Sequence, residues 1–380
     1  MEPGNRGGGQ HGGEPPGDPA EPVSAPSRFG ALNRRSALLG MGAVAGVAAV
    51  DVGGFAYAGG WLRPGVVTPP RITDRFEQVY GRHDGFRRNH AKGLSATGTF
   101  VSNGAGAAIC RAAVFRRGSV PLIGRFSLSG GLPDQADKFD TVRGLGLLFD
   151  GPDGRQWRTA MINLPVFPDS TPQGFYDRLL ASRPLPGTGK PDPQQMAAFL
   201  QRHPETTAAM RLIKQAPPSA GFADSAFHAL NAFRFTNGAG ATVPVRWSAI
   251  PQQATDVTAS PPAKDYLFDA LIRTLARTPL NWRLVLTVGE PGDPTNDATK
   301  PWPAARRTID AGTITISAVQ TEEAGNARDV NFDPLVLPDG IAPSDDPLLT
   351  ARSAVYARSF TRRAVEPKTA SAVDVEAVLQ

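Results

Sequence analysis

The 380-residue sequence contains one cysteine, Cys110, which excludes an intrachain disulfide framework and any C-x-x-C metal or redox site. Histidine is almost as scarce. The five histidines are scattered, with no H-E-x-x-H and no paired spacing, which argues against a zinc enzyme. Long apolar runs are absent too: the best, from Ala37 to Val50, is about 14 residues before Asp51 interrupts it, short of the roughly 20 that span a bilayer. There is no strong charge of one sign either. Forty basic residues stand against 35 acidic, net +5, and they are dispersed without interleaved aromatics. No nucleic-acid partner is expected, and the excess reads as solubility or attraction to anionic groups. What is plentiful is glycine (41) and proline (36), a loop-rich composition that excludes a coiled coil.

Residues 1–32 are Gly, Pro and polar almost throughout, His11 included, and are expected to be disordered because they cannot bury enough apolar surface to offset chain entropy. Arg34 and Arg35 then precede the small apolar run, and Ala56 and Ala58 make an A-x-A pattern. Residues 33–60 therefore read as a twin-arginine-type export signal, or as a membrane anchor through residues 36–58, with 61–70 as linker. An exported protein, periplasmic or extracytoplasmic, is expected. Because twin-arginine export carries folded proteins that often hold a cofactor, the signal hints at a cofactor without naming one.

From residue 71 the chain reads as one mixed domain to 365, followed by a tail over 366–380. Short apolar or alternating runs, "ATGTFVS", "AAICRAAVF", "PLIGRFSLSGG", "GLGLLFDGPDG" and "WRTAMINLPVF", are separated by Gly, Pro and Asp turns. Their close spacing predicts an antiparallel sheet and an α+β class. "DPQQMAAFLQRHPETTAAMRLIKQ" predicts a helix broken at Pro204, and "AKDYLFDALIRTLAR" another. "AFRFTNGAGATVPVRWSAI" predicts a hairpin through "NGAG", and "NWRLVLTVG" a further strand.

Two segments carry candidate chemistry. In "RRNHAKGLSATGTF", His90 stands between basic residues at the mouth of a strand, where periodicity alone favours a structural histidine over a catalytic one. In "SDDPLLTARSAVYARSFTRRAVEP", Asp345 or Asp346 can cap a helix with Pro347 in its first turn. Arg352, Tyr356, Ser359 and Arg363 then form one stripe down that helix. A guanidinium one turn before a phenol can hydrogen-bond its phenolate, which would suit a tyrosinate ligand. The competing reading is a solvated arginine face with Tyr356 half buried. Cys110 reads as a buried small hydrophobe, His203 as structural, and His83 and His228 as surface or supporting residues. The "GEPGDPTND" loop lacks the spacing of a calcium loop.

Six segments resemble the haem catalases, in order: "RRNHAKG", "PLIGRFS", "DTVRGLGLLF", "INLPVF", "NDATKPWP" and "PDGIAPSDDPLLTARSAVYARSFTRR". The shortness of the chain brings it nearest the catalase-related peroxidases, a reduced catalase core. The resemblance implies a catalase-like closed antiparallel β-barrel with flanking helices, with haem b buried between the barrel and a C-terminal proximal helix. It implies His90 as distal acid–base residue, Ser127 as its hydrogen-bonding partner, and Tyr356 as axial ligand of the haem iron, kept as tyrosinate by Arg352. Arg87, Arg125 and Arg363 match the arginines that hold the haem propionates, and Phe175 the phenylalanine near the haem edge. Two positions depart from the pattern. Ile162 stands where catalases have a distal asparagine, so Asn163 beside it can serve only if the strand slips or bulges, and Ala354 replaces an aromatic.

The implied function is a haem-dependent peroxidase that reduces hydrogen peroxide or organic hydroperoxides with a small organic electron donor, with weak or no dismutation. The alternatives are a catalase-fold hydroperoxide isomerase of the allene oxide synthase type, and an exported haem carrier or sensor.

Overall fold

The computed structural model describes residues 67–253 and 263–380. The expected disordered segment 1–32, the signal or anchor over 33–60, and the linker up to residue 66 lie outside these residues. Among the described residues ten strands alternate with Gly- and Pro-rich turns: β1 (Gly93–Ser102), β2 (Gly118–Leu128), β3 (Arg143–Asp150), β4 (Gln156–Ile162), β5 (Phe227–His228), β6 (Phe233–Thr236), β7 (Thr242–Pro251), β8 (Leu280–Val288), β9 (Thr308–Gln320) and β10 (Ile341–Pro343). All pairings are antiparallel. Eight strands run round in the order β1-β2-β3-β4-β5-β7-β8-β9 and close through β9 onto β1, with β6 and β10 attached at the edge of β7. Closure removes the free edges that an open sheet would expose.

The period of two along each strand separates the barrel's inside from its outside. Phe126, Leu145 and Met161 are matched across β2, β3 and β4 and belong to the main core, with Phe149, Trp157, Trp247 and Trp282. This interior is packed solid. Trp157 lies 4.6 Å from Phe149 and 5.1 Å from Trp247 between ring centroids. The next row, Ser127, Gly144, Ile162, His228 and Ser248, is in register across β2, β3, β4, β5 and β7 and faces the other way.

Outside the barrel lie the helices α1 (Pro69–Tyr80), α2 (Pro172–Ala181), α3 (Pro193–Arg202), α4 (Pro204–Gln215), α5 (Tyr266–Leu275), α6 (Pro347–Ala364) and α7 (Val375–Leu379). The break between α3 and α4 falls at Pro204 as expected, with His203 stacked 4.5 Å from Phe199 and paired to Glu205 at 2.9 Å. Helix α6 is capped by Asp346, whose carboxylate accepts from the Leu348 N–H, while Asp345 instead accepts from the Thr295 hydroxyl. The "NGAG" turn joins β6 to β7. The expected strand at "AAICRAAVF" is not formed: this run makes two 3-10 turns, Ala105–Ala108 and Ala113–Phe115. Its wholly buried Cys110 and Phe115 belong to the main core cluster, so burial won over alternation. Residues 366–380 are docked to the domain, with Glu366 paired to Arg88 and α7 against α5.

Candidate active site

A cleft lies between the outward row of the barrel and the helices α1, α2 and α6. Among the described residues only two non-glycines have a left-handed backbone, His90 (φ 56°) and Leu230 (φ 62°), and both line this cleft. Strain of this kind persists only where the surroundings enforce it, and it concentrates at functional sites. At His90 the enforcement is visible. The Asn89 carboxamide oxygen accepts from the Gly130 N–H, the Ala91 N–H donates to the Gly130 carbonyl, and Arg125 donates to the carbonyls of His90 (2.9 Å) and Ala91 (3.2 Å). Gly93 makes room for that guanidinium, since a Cβ there would lie 2.2 Å from it.

His90 Nδ1 is 3.0 Å from Ser127 Oγ. The ring rests over Gly144, where a Cβ would come within 2.8 Å of Ser127 Oγ and 3.1 Å of the imidazole. Burial, reinforced by the charges of Arg125, Arg352 and Arg87, lowers the imidazole pKa to about 3. The ring is therefore neutral near pH 7, and with Nδ1 turned to Ser127 its Nε2 is the atom available to take a proton.

Helix α6 forms the opposite wall. Arg352, Tyr356, Ser359 and Arg363 all line the cleft, so the stripe faces inward and not into solvent. The hydrogen bond expected from Arg352 to Tyr356 is not formed. Arg352 donates to the Asn231 carboxamide oxygen and to the Ala160 carbonyl (3.0 Å), and the Asn231 amide donates to Asp346 at 2.7 Å. A carboxylate, an amide and a guanidinium thus hold the helix against the barrel. Phe175 stands in the cleft wall on α2, 5.8 Å from Phe76 and 5.9 Å from Phe167.

At one end three arginines meet. Arg125 forks onto Glu322 with two bonds of 2.8 Å, Arg87 reaches it at 3.3 Å, and Arg363 donates to the carbonyls of Arg328 and Val330. Burial, and then repulsion from Arg125 and Arg363, holds Arg87 well below its ordinary pKa. Burial would raise the Glu322 carboxyl, but Arg125, Arg87 and Arg328 together outweigh it and leave the pKa at about 2. Three guanidiniums against one carboxylate leave two uncompensated positive charges, so a ligand with two carboxylates fits this end.

The floor beside it is flat: Gly146 is in register with Ala160, and a Cβ at Gly146 would lie 3.0 Å from the Phe332 ring. A planar, mostly apolar, dicarboxylate group such as haem suits the donors present: Tyr356 would hold its iron, and Arg87, Arg125 and Arg363 would hold its carboxylates.

Asn163 does not join the site. The β3–β4 ladder runs without a bulge, so Ile162 keeps the cleft-facing position. The Asn163 side chain accepts from the Arg143 N–H at 2.8 Å and its backbone N–H donates to the Arg143 carbonyl. The expectation that Asn163 replaces a distal amide is thereby corrected. His228, read from the sequence as surface or supporting, in fact lines the cleft, its Nδ1 2.7 Å from Ser248 Oγ and its pKa lowered by burial to about 4. Asn231, Glu322 and Phe332 were not found from the sequence at all. Their one signal lies in pattern: Asn231 follows a two-residue strand, where the chain abandons alternation.

The family model described as catalase matches residues 85–370. Over 331 residues the chain is 38% identical to a catalase-related peroxidase of Synechococcus elongatus, spanning 86% of this chain and 95% of that one. It is 32% identical over 304 residues to a catalase-related peroxidase of Mycolicibacterium paratuberculosis, spanning 79% and 96%. Among solved structures, a bacterial catalase superposes with a TM-score of 0.65 at 20% identity, over 78% of this chain and 61% of its own. Catalase A from Saccharomyces cerevisiae gives 0.64 at 22% identity, over 74% and 62%. At these identities the superpositions speak for the fold alone.

Proposed function

This chain belongs to the catalase family, and from that premise we propose that it reduces hydrogen peroxide or organic hydroperoxides with electrons from a small organic donor. It is a haem peroxidase of the catalase fold, and the relatives favour that reading over an isomerase or a haem carrier. Haem b, held by Tyr356 and the three arginines, is the form that the donor set supports: with one buried cysteine there is no pair for thioether attachment.

When bound, haem supplies the two-electron redox chemistry that peroxide reduction needs. The chain's residues manage the protons and the geometry. His90 Nε2 takes the proton from one peroxide oxygen and returns it to the oxygen that leaves as water, or as alcohol from an organic hydroperoxide. Ser127 fixes the ring, and burial, reinforced by the arginine field, keeps it neutral between turnovers. Each turnover consumes two electrons and two protons from the donor side.

The observation that carries the preference for a donor over dismutation is Ile162, an apolar side chain in the cleft-facing row beside Gly144 and His90. A second peroxide finds no amide there to orient it. Purified holo-protein supplied with peroxide should oxidise an organic donor and evolve little oxygen. Oxygen evolution at full catalase rates with donors untouched would overturn the reading.

Export to the periplasm or another extracytoplasmic space belongs to the same proposal, supported by Arg34 and Arg35 ahead of the short apolar run and by the A-x-A at Ala56 and Ala58. Membrane association through residues 36–58 is its variant. No helix among the described residues is long and apolar enough to cross a membrane. Amino-terminal sequencing of the mature protein tests cleavage after Ala58.

A further inference from the structure

Two histidine–serine pairs face the same cleft. His90 is held by Ser127 at 3.0 Å and His228 by Ser248 at 2.7 Å, and in both the other ring nitrogen, Nε2, has no protein hydrogen-bond partner among the described residues. They belong to one registered row, Ser127–Gly144–Ile162–His228–Ser248, with the His90 ring over Gly144. His228 therefore lies two strand spacings from that point, about 10 Å, with Ile162 between.

That separation is far longer than the O–O bond of a peroxide, so the two imidazoles do not share one. The cleft wall beside His228's strand partner Ile162 is apolar: Ile162, Phe167 and Phe175 pack against Leu230 and Leu348 in one cluster, and all of them line the cleft with His228. A half-buried imidazole edge in an apolar wall complements a molecule with an aromatic body and one hydroxyl.

Resting on the peroxidase reading, we infer that His228, positioned by Ser248, is a specificity-determining residue that hydrogen-bonds the hydroxyl of a phenolic electron donor in this cleft. Three observations support this. The Leu230 backbone is held left-handed by an Asn231 N–H to Ala229 carbonyl bond of 2.8 Å, a tight turn that ends β5 directly after His228. Burial keeps the imidazole neutral, as hydroxyl recognition requires. The β5 pairing, only two residues long, places His228 opposite both Ile162 and Ser248.

The test is binding to ferric holo-protein without peroxide, read from the haem absorption spectrum, with phenol and with anisole, which lacks the O–H. Wild type should prefer phenol by about tenfold, the worth of one neutral hydrogen bond. His228→Leu should abolish the preference, and with peroxide present should lower the ratio of phenol to non-hydroxylic donor kcat/KM by a similar factor. If that variant does not fold, Ser248→Ala, which keeps the ring but frees Nδ1, must reduce the preference. Undiminished phenol preference in His228→Leu, or in Ser248→Ala where it alone folds, overturns the inference. Wild type that oxidises no donor at all overturns instead the peroxidase reading beneath it.

Discussion

At the scale of single residues, the site depends as much on missing side chains as on present ones. Gly144 is the clearest case, because a methyl there would meet Ser127 Oγ at 2.8 Å and the His90 ring at 3.1 Å, and must push one of them away. Gly144→Ala should therefore slow the reaction with peroxide while leaving haem bound, since its damage falls on the distal pair and not on Tyr356 or the arginines. His90→Ala should do so more severely, by about 10²- to 10⁴-fold, the usual worth of a positioned acid–base group. Rapid-mixing kinetics of peroxide with each holo-variant checks both. A wild-type rate in His90→Ala would remove that residue from the mechanism.

At the scale of elements, α6 is fastened at its start and displays function along its length. Asp346 serves twice, capping the Leu348 N–H and accepting from the buried Asn231 amide, which in turn accepts from Arg352. Asp346→Ala should cost about 1 to 2 kcal/mol for the cap alone, and more because Asn231 loses its partner. Thermal unfolding should show the loss, and haem affinity should fall with it as Arg352 and Tyr356 drift. Removing the exposed Asp345, whose bond is to Thr295, should be far milder.

The stripe of α6 was legible in the sequence because helical spacing is local: Arg352, Tyr356, Ser359 and Arg363 needed only a cap and a period. The partners across the cleft were not. Whether His228 faces solvent or cleft is decided by a two-residue strand and by the register of β4 against it. The choice between Ile162 and Asn163 is settled likewise by an unbroken ladder. Glu322 is set against Arg125 from 197 positions further along the chain. Such placements come from barrel closure, which no short window of sequence contains.

At the scale of the molecule, the fold keeps two imidazoles uncharged inside a chain of net positive charge, and this couples stability to pH. His90 and His228 have folded pKa values lowered to about 3 and about 4, against 6.5 for the free side chain. Below pH 6.5 the unfolded chain binds protons that the folded chain refuses. The stability these residues permit is therefore whole above about 6.5 and is lost as the pH falls toward 4, at a rate approaching two protons per molecule. Glu322, lowered to about 2, adds its own loss only below about 4.5. Asp137 and Asp169 are raised by burial and oppose the trend in the acid range, so the raw slope mixes signs. The comparison that isolates the histidines is between wild type and variants lacking one of them. Denaturant midpoints measured from pH 7.5 to 4 should fall less steeply in His90→Ala and in His228→Leu than in wild type, each variant losing up to one proton of dependence between 6.5 and 4. Parallel curves would mean that the imidazoles titrate alike in the folded and the unfolded protein, and burial would then not be what keeps His90 neutral.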